Sequence, residues 1–229
     1  MKIAITGKGG VGKTTLSGML SCLLAGQGRQ VVAVDADPDA NLASCLGVPA
    51  DDPVTPISEM TDLIEQRTGA KDNYGGYFQV NPKVDDIPEK FARRLGNIHL
   101  LALGGVRTGG AGCICPATAV IKALLTHLVL ARGGAVVMDM EAGIEHLGRA
   151  TAESMDGLVV VVTPSPWSVE TAHRIRTLAS QVGLKRLFAV ANCITDPAQI
   201  EPIRRQLGDI PLIGHLELDP ELMSGVIKL

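Results

Sequence analysis

Nine residues near the amino terminus, Gly7-Lys8-Gly9-Gly10-Val11-Gly12-Lys13-Thr14-Thr15, have the types and spacing of a phosphate grip. Gly7 and Gly12-Lys13-Thr14 satisfy the pattern G-x-x-x-x-G-K-[ST]. Its glycines let backbone N–H groups close around phosphate oxygens, and the positive end of the next helix adds to the attraction. Lys13 is expected to neutralise the β- and γ-phosphates and Thr14 to ligate Mg²⁺. Gly9, Gly10, Val11, Gly12, Lys13, Thr14 and Thr15 form the expected nucleotide-binding loop. The apolar run Ile3-Ala4-Ile5 before it and Leu16-Ser17-Gly18-Met19-Leu20 after it read as strand, loop, helix, which a chance glycine-rich turn would not supply. The chemistry implied is binding of ATP or GTP.

Two further groups carry chemistry. Asp35, Asp37 and Asp39 follow the apolar run Val31-Val32-Ala33-Val34, and Asp139 follows Ala135-Val136-Val137-Met138. Acidic residues at the carboxyl edge of a parallel sheet face its ligand crevice. Asp139 is expected to hold Mg²⁺, and one of Asp35 and Asp39 is a candidate to support the ion or its waters; the other reading of Asp39 is a helix cap before Leu42. The second group is Cys113-Ile114-Cys115-Pro116. In extended chain, residues two apart point to one side, so both thiols can face one ion. Two thiolates do not close a tetrahedral site, but a two-fold dimer would bring a second pair if the loop lies on the axis. Four sulfurs suit Zn²⁺, Ni²⁺, Cu⁺ or an iron–sulfur cluster. The other reading is two partly buried cysteines at a helix start.

The elements that must position these residues are legible as buried β-branched runs alternating with helical patterns. The 229 residues fit one α/β domain, with a mostly parallel sheet covered by helices on both faces. Aromatics make up only 3%, so the core must rest on Val, Ile, Leu and Ala. A helix is expected from Thr14 to Gly26, one from Ile57 to Arg67 and an amphipathic one from Ala117 to Ala131. Further strands are expected at 97–103, 158–162 and 187–191. Residues 47–96, with Pro49, Pro53, Pro56, Pro82 and Pro88, read as an elaborated surface segment. Within it, Tyr77–Val80 is a short extended piece, and Tyr74, Tyr77 and Phe78 either cover a local core or mark a partner surface. A net charge of −3 leaves no basic footprint for nucleic acid. No leader precedes Met1-Lys2-Ile3 and no apolar run reaches membrane-span length, so a cytoplasmic location is expected. Five cysteines in a reducing compartment favour metal binding or plain burial over disulfides.

Lys8, an additional lysine that projects from the loop, makes KGGVGKTT a deviant Walker A sequence. In this the chain resembles the P-loop ATPase superfamily that includes MinD, the ParA partitioning proteins and the nitrogenase iron protein. The resemblance implies that Lys8 reaches the nucleotide of a second subunit, and hence a nucleotide-dependent homodimer. It also implies that Asp37, before Pro38, polarises the attacking water. Asp139 becomes the Walker B acid, with Met140-Glu141-Ala142-Gly143 as switch II, and Asn192 lies against the adenine. Cys193 follows Asn192 where relatives often have a basic residue.

The stretch Gly112-Cys113-Ile114-Cys115-Pro116 and the run Val120-Ile121-Lys122-Ala123-Leu124-Leu125-Thr126-His127-Leu128 resemble the CooC family, ATPases that assist nickel insertion into carbon monoxide dehydrogenase. That resemblance implies that Cys113 and Cys115 of two subunits bind Ni²⁺, or Zn²⁺ in its place, at the dimer interface, with carbon monoxide dehydrogenase as client. Two other readings stay open. One is a spatial organiser of the MinD or ParA kind, against which the acidic balance and the lack of a basic amphipathic tail count. The other is an iron–sulfur reductase resembling the nitrogenase iron protein, whose cluster cysteines are more widely spaced.

Overall fold

The structure, a computed structural model, describes residues 1–70, 77–105, 115–131, 133–142 and 149–222. Cys113, Gly143 and Tyr74 lie outside the described residues. Eight strands form one sheet: β1 (Lys2–Gly7), β2 (Val31–Asp35), β3 (Arg93–Leu95), β4 (Ile98–Ala102), β5 (Ala135–Asp139), β6 (Gly157–Val162), β7 (Leu187–Ile194) and β8 (Leu212–Glu217). Their order is β3-β4-β2-β5-β1-β6-β7-β8, and only β3 runs antiparallel, against β4.

Because side chains alternate along a strand, each strand feeds two cores. On one face Ile5, Ala33, Val137, Val159 and Val161 pack with Val11, Leu24, Leu42 and Leu46. These come from the phosphate loop, α1 (Lys13–Gly26) and α2 (Leu42–Cys45). On the other face Ala4, Val34, Met138, Leu158 and Val160 pack beneath the remaining helices. Those are α3 (Thr61–Thr68), α4 (Ile87–Phe91), α5 (Pro116–Leu130), α6 (Arg149–Glu153), α7 (Pro166–Gln181) and α8 (Ile200–Leu207). The α/β architecture with helices on both faces is the one expected. Among the described residues no helix is long and apolar enough to cross a membrane.

The segment between Gly47 and Gly96 departs in detail from its sequence reading. The helix expected from Ile57 to Arg67 is interrupted. Ile57–Glu59 is a 3₁₀ turn, Met60 leaves helical geometry with φ −81° and ψ 73°, and α3 starts at Thr61. Ile57, before the break, still packs in one core with Leu63 and Ile64 after it. Tyr77–Val80 forms no strand, and Tyr77 is fully exposed instead of covering a core. Helix α4 and strand β3 were not foreseen. They are anchored by Ile87, fully buried, and by the β3–β4 pairing.

Candidate functional site

The phosphate loop connects the central strand β1 to α1, and its shape is imposed from two sides. Gly7 sits against β6: a Cβ there would lie 2.5 Å from the Val161 carbonyl oxygen. Gly12 has φ +89°, and a Cβ on it would lie 2.2 Å from Asn192 Nδ2. Any other residue at either position is therefore strained: at Gly7 against backbone, and at Gly12 by its left-handed φ and by displacement of the Asn192 amide. Asn192, at the carboxyl end of β7, donates from Nδ2 to the Val11 carbonyl at 2.8 Å and is nearly buried. This side chain clamps the loop across 181 residues of sequence. It sits where the strand breaks register, with Cys193 at φ +58°.

Helix α1 has no acidic residue in its first turn and no side-chain cap. Its leading N–H groups and positive dipole end are thus open to an anion. Lys13 is buried, with its Nζ 3.4 Å from the Lys8 carbonyl oxygen, so the ammonium folds back over the loop. Gly9 and Gly10 are exposed and Thr14 and Thr15 half-buried at the rim. A triphosphate laid on this cradle would meet backbone donors, a buried cation and a helix terminus. The seat is made of backbone and not of a cavity. A cavity of about 570 Å³ between residues 80–85 and the outer face of α5 contains none of these side chains.

Beside the cradle lie two buried carboxylates. Asp35 ends β2 and Asp139 ends β5, paired in register across the parallel strands. Asp139 is fully buried. Its Oδ1 is 3.1 Å from Ser17 Oγ, while its Oδ2 has no hydrogen-bond partner. Burial pushes Asp139 up to about 6, opposed by the Thr14 and Ser17 hydroxyls and by the positive charge of the Lys13 ammonium. Burial pushes Asp35 up to about 7; the Leu42 N–H bond opposes this, and the neighbouring Asp139 adds to it. A fully buried carboxylate with an unpartnered oxygen, at a strand end in register with Asp35, offers the hard oxygen donor that a divalent cation takes. Mg²⁺ therefore fits here.

Asp35 has a second job that its sequence position does not reveal. Its Oδ2 accepts from Leu42 N at 2.8 Å and its Oδ1 from Asp37 N at 3.2 Å. It thus caps α2 and shapes the turn after β2, and Asp39 does not serve as the cap. Asp37 is half-buried, with its Oδ1 accepting from Asp39 N at 3.1 Å, which fixes its carboxylate above the sheet edge. Sequence reasoning also missed Ser17 and Thr6. Thr6 Oγ1 donates to the Glu141 carbonyl at 2.7 Å and ties the start of the segment after β5 to β1.

Of the cysteine pair, Cys115 is described. It is the N-cap of α5, with its Sγ 3.5 Å from Thr118 N and 3.0 Å from Thr118 Oγ1. Its sulfur is therefore oriented by the first turn of α5. Among the described residues no group of three or more His, Cys, Asp or Glu is arranged to hold a metal ion. Cys22 and Cys45 lie on α1 and α2; Cys45 is buried against the Thr14 carbonyl, 3.6 Å away, and burial raises its thiol to about 11.

A parallel sheet with a glycine-shaped anion cradle after its central strand, a buried lysine and acids at the neighbouring strand ends defines a P-loop ATPase. The chain belongs to the CobQ/CobB/MinD/ParA nucleotide-binding family, whose model matches residues 2–227, and within it to the CooC family. It is 46% identical over 226 residues to the carbon monoxide dehydrogenase accessory protein CooC of Rhodospirillum rubrum, covering 98% of this chain and 86% of that one. An uncharacterized ATP-binding protein of Methanocaldococcus jannaschii is 42% identical, covering 98% and 88% respectively. Among solved structures, MinD of Aquifex aeolicus superimposes with a TM-score of 0.68 at 23% identity, covering 98% of this chain and 85% of that one. That likeness concerns the fold.

Proposed function

We propose that this ATPase works as a homodimer that carries nickel, or zinc in its place, between its subunits and supports nickel insertion into carbon monoxide dehydrogenase. The reading rests on the likeness to CooC along almost the whole chain, joined to the presence of Cys113 and Cys115 in this sequence. The nickel ion is cargo.

Lys13, Thr14 and the loop N–H groups bind the phosphates, and Asn192 keeps the loop closed from β7 and lies toward the base. Thr14 and Asp139 would hold Mg²⁺, which supplies positive charge against the phosphate oxygens. Asp37 orients the water that attacks the γ-phosphorus, so that ATP and water become ADP and phosphate. Lys8 reaches the nucleotide of the second subunit. This is catalysis by positioning and charge, without a covalent intermediate. Cys113 and Cys115 from both subunits together supply four sulfurs, which two thiolates of one chain do not. The segment after β5 lies between nucleotide and interface in this reading and couples hydrolysis to release of the cargo.

The test is metal content and oligomeric state of anaerobically purified protein, with and without nickel and ATP, for wild type and Cys113→Ala/Cys115→Ala. One nickel or zinc per dimer, lost in the variant while ATP binding survives, is expected. Metal-free dimers indifferent to the substitutions would overturn the shared site, and bound iron with sulfide would point to a reductase.

A further inference from the structure

Trp167 is the only tryptophan of the chain, and it is 65% exposed. Its backbone is held firmly. It occupies the first turn of α7 between Pro166 and Ser168. Ser168 is buried, with its Oγ 3.0 Å from Thr163 N, 2.9 Å from Thr163 O and 2.8 Å from Ser165 O. A single exposed aromatic is ordinary, so the indole becomes informative only where the turn gives its face a partner.

The phosphate loop supplies one. Strands β1 and β6 pair in register up to Gly7 and Val161, so the residues after each strand leave the same edge of the sheet side by side. Lys8 follows Gly7 and is exposed; its Nζ lies 6.0 Å from the centroid of the Trp167 ring. Among the described residues no carboxylate pairs with Lys8. The two lysines of the loop are thus sorted: Lys13 folds inward, while Lys8 reaches outward to an indole face.

We propose that Trp167 is a positioning residue for Lys8, holding its ammonium extended beyond its own phosphate loop so that it is presented to a second copy of this chain. This rests on the reading of Lys8 as a residue that acts across the dimer. A lysine side chain has much rotamer freedom to lose on docking, and an aromatic face that holds it beforehand removes part of that loss. At an exposed site the contact is worth about two- to fivefold in population. A two-fold dimer contains it twice, so the effect on association is the square, about four- to twenty-fivefold.

The experiment measures ATP-dependent dimerisation by analytical ultracentrifugation and Trp167 emission, in wild type, Trp167→Ala, Trp167→Phe and Lys8→Met. Trp167→Ala is expected to weaken ATP-dependent association at least about fourfold and leave ADP affinity unchanged, with Trp167→Phe restoring most of the loss. Lys8→Met is expected to shift the emission of Trp167 in the nucleotide-free protein, where no dimer contributes. Wild type that dimerises with ATP but is indifferent to Trp167→Ala, equal losses for Ala and Phe, or an unshifted emission in Lys8→Met would each overturn the inference alone. Wild type that fails to dimerise with ATP would overturn the dimer reading beneath it.

Discussion

Nucleotide- and metal-free protein should lose stability as pH rises from 5 to 7.5, the reverse of ordinary acid denaturation. The cause is the burial of Asp35 and Asp139. Their folded-state values, about 7 and about 6, stand above the usual carboxylate range. A group whose folded pKa is raised binds its proton more tightly when folded, so its contribution is complete at low pH and lost as pH passes the folded value. At about 1.4 kcal/mol per pKa unit, the two together remove about 2–4 kcal/mol across the window, most of it from Asp35. That is a large share of the 5–15 kcal/mol typical of a domain. Asp86, held below the usual carboxylate range by the Arg67 guanidinium, loses its contribution only at lower pH and does not offset the trend. Urea unfolding with chelator present, at constant ionic strength and at pH 5, 6, 7 and 8, measures the slope. Asp35→Asn/Asp139→Asn subtracts every other titrating group and should flatten it. Saturating Mg²⁺ with nucleotide should also flatten it, because a bound cation favours the ionised carboxylates. Stability that is flat or rises over this range in wild type, or an unchanged slope in the double variant, would refute the reasoning.

Gly12→Ala should cost about 2–4 kcal/mol, from a left-handed φ and displacement of Asn192 from the Val11 carbonyl. In a double-mutant cycle with Asn192→Ala the two costs should fall short of additive by about 1 kcal/mol, and strict additivity would deny the clamp. Cys115→Ser should keep the cap of α5 and so the melting temperature, yet lose the metal. Cys115→Ala should lose both, with a stability cost of about 1 kcal/mol; metal retained by the serine variant would remove Cys115 from the ligand set. Lys13→Met and Asp139→Asn should each lower phosphate release about 100-fold or more, and a variant within threefold of wild type would have no place in the site.

The parts of the fold governed by local rules were legible in the sequence. The runs at 31–34, 135–138 and 158–162 are buried on both faces and could only be interior parallel strands, and the glycine pattern located the loop. Elements that depend on partners distant in sequence were not. Strand β3 exists because β4 offers it an edge, and the break at Met60 has no local signal in the sequence, whose apolar spacing is that of one continuous helix. The same distinction holds in the site. Lys13, Thr14 and Asp139 follow from spacing. The cap that Asp35 gives to α2 needs the path of the chain after β2, and its raised pKa needs its burial beneath that path, with Asp139 in register on β5 adding to it. The amide of Asn192 against Val11 and the indole beside Lys8 join residues that no pattern of spacing connects.

The central claim is that ATP turnover by this chain drives nickel delivery, and the most direct test is reconstitution. Nickel-free carbon monoxide dehydrogenase would be incubated with limiting nickel, ATP and this protein, and carbon monoxide oxidation followed over time. Recovery that requires ATP and wild type, and that fails with Asp37→Asn or with Cys113→Ala/Cys115→Ala, is the predicted result. Equal recovery without the protein, or with the Asp37→Asn variant, would contradict the account.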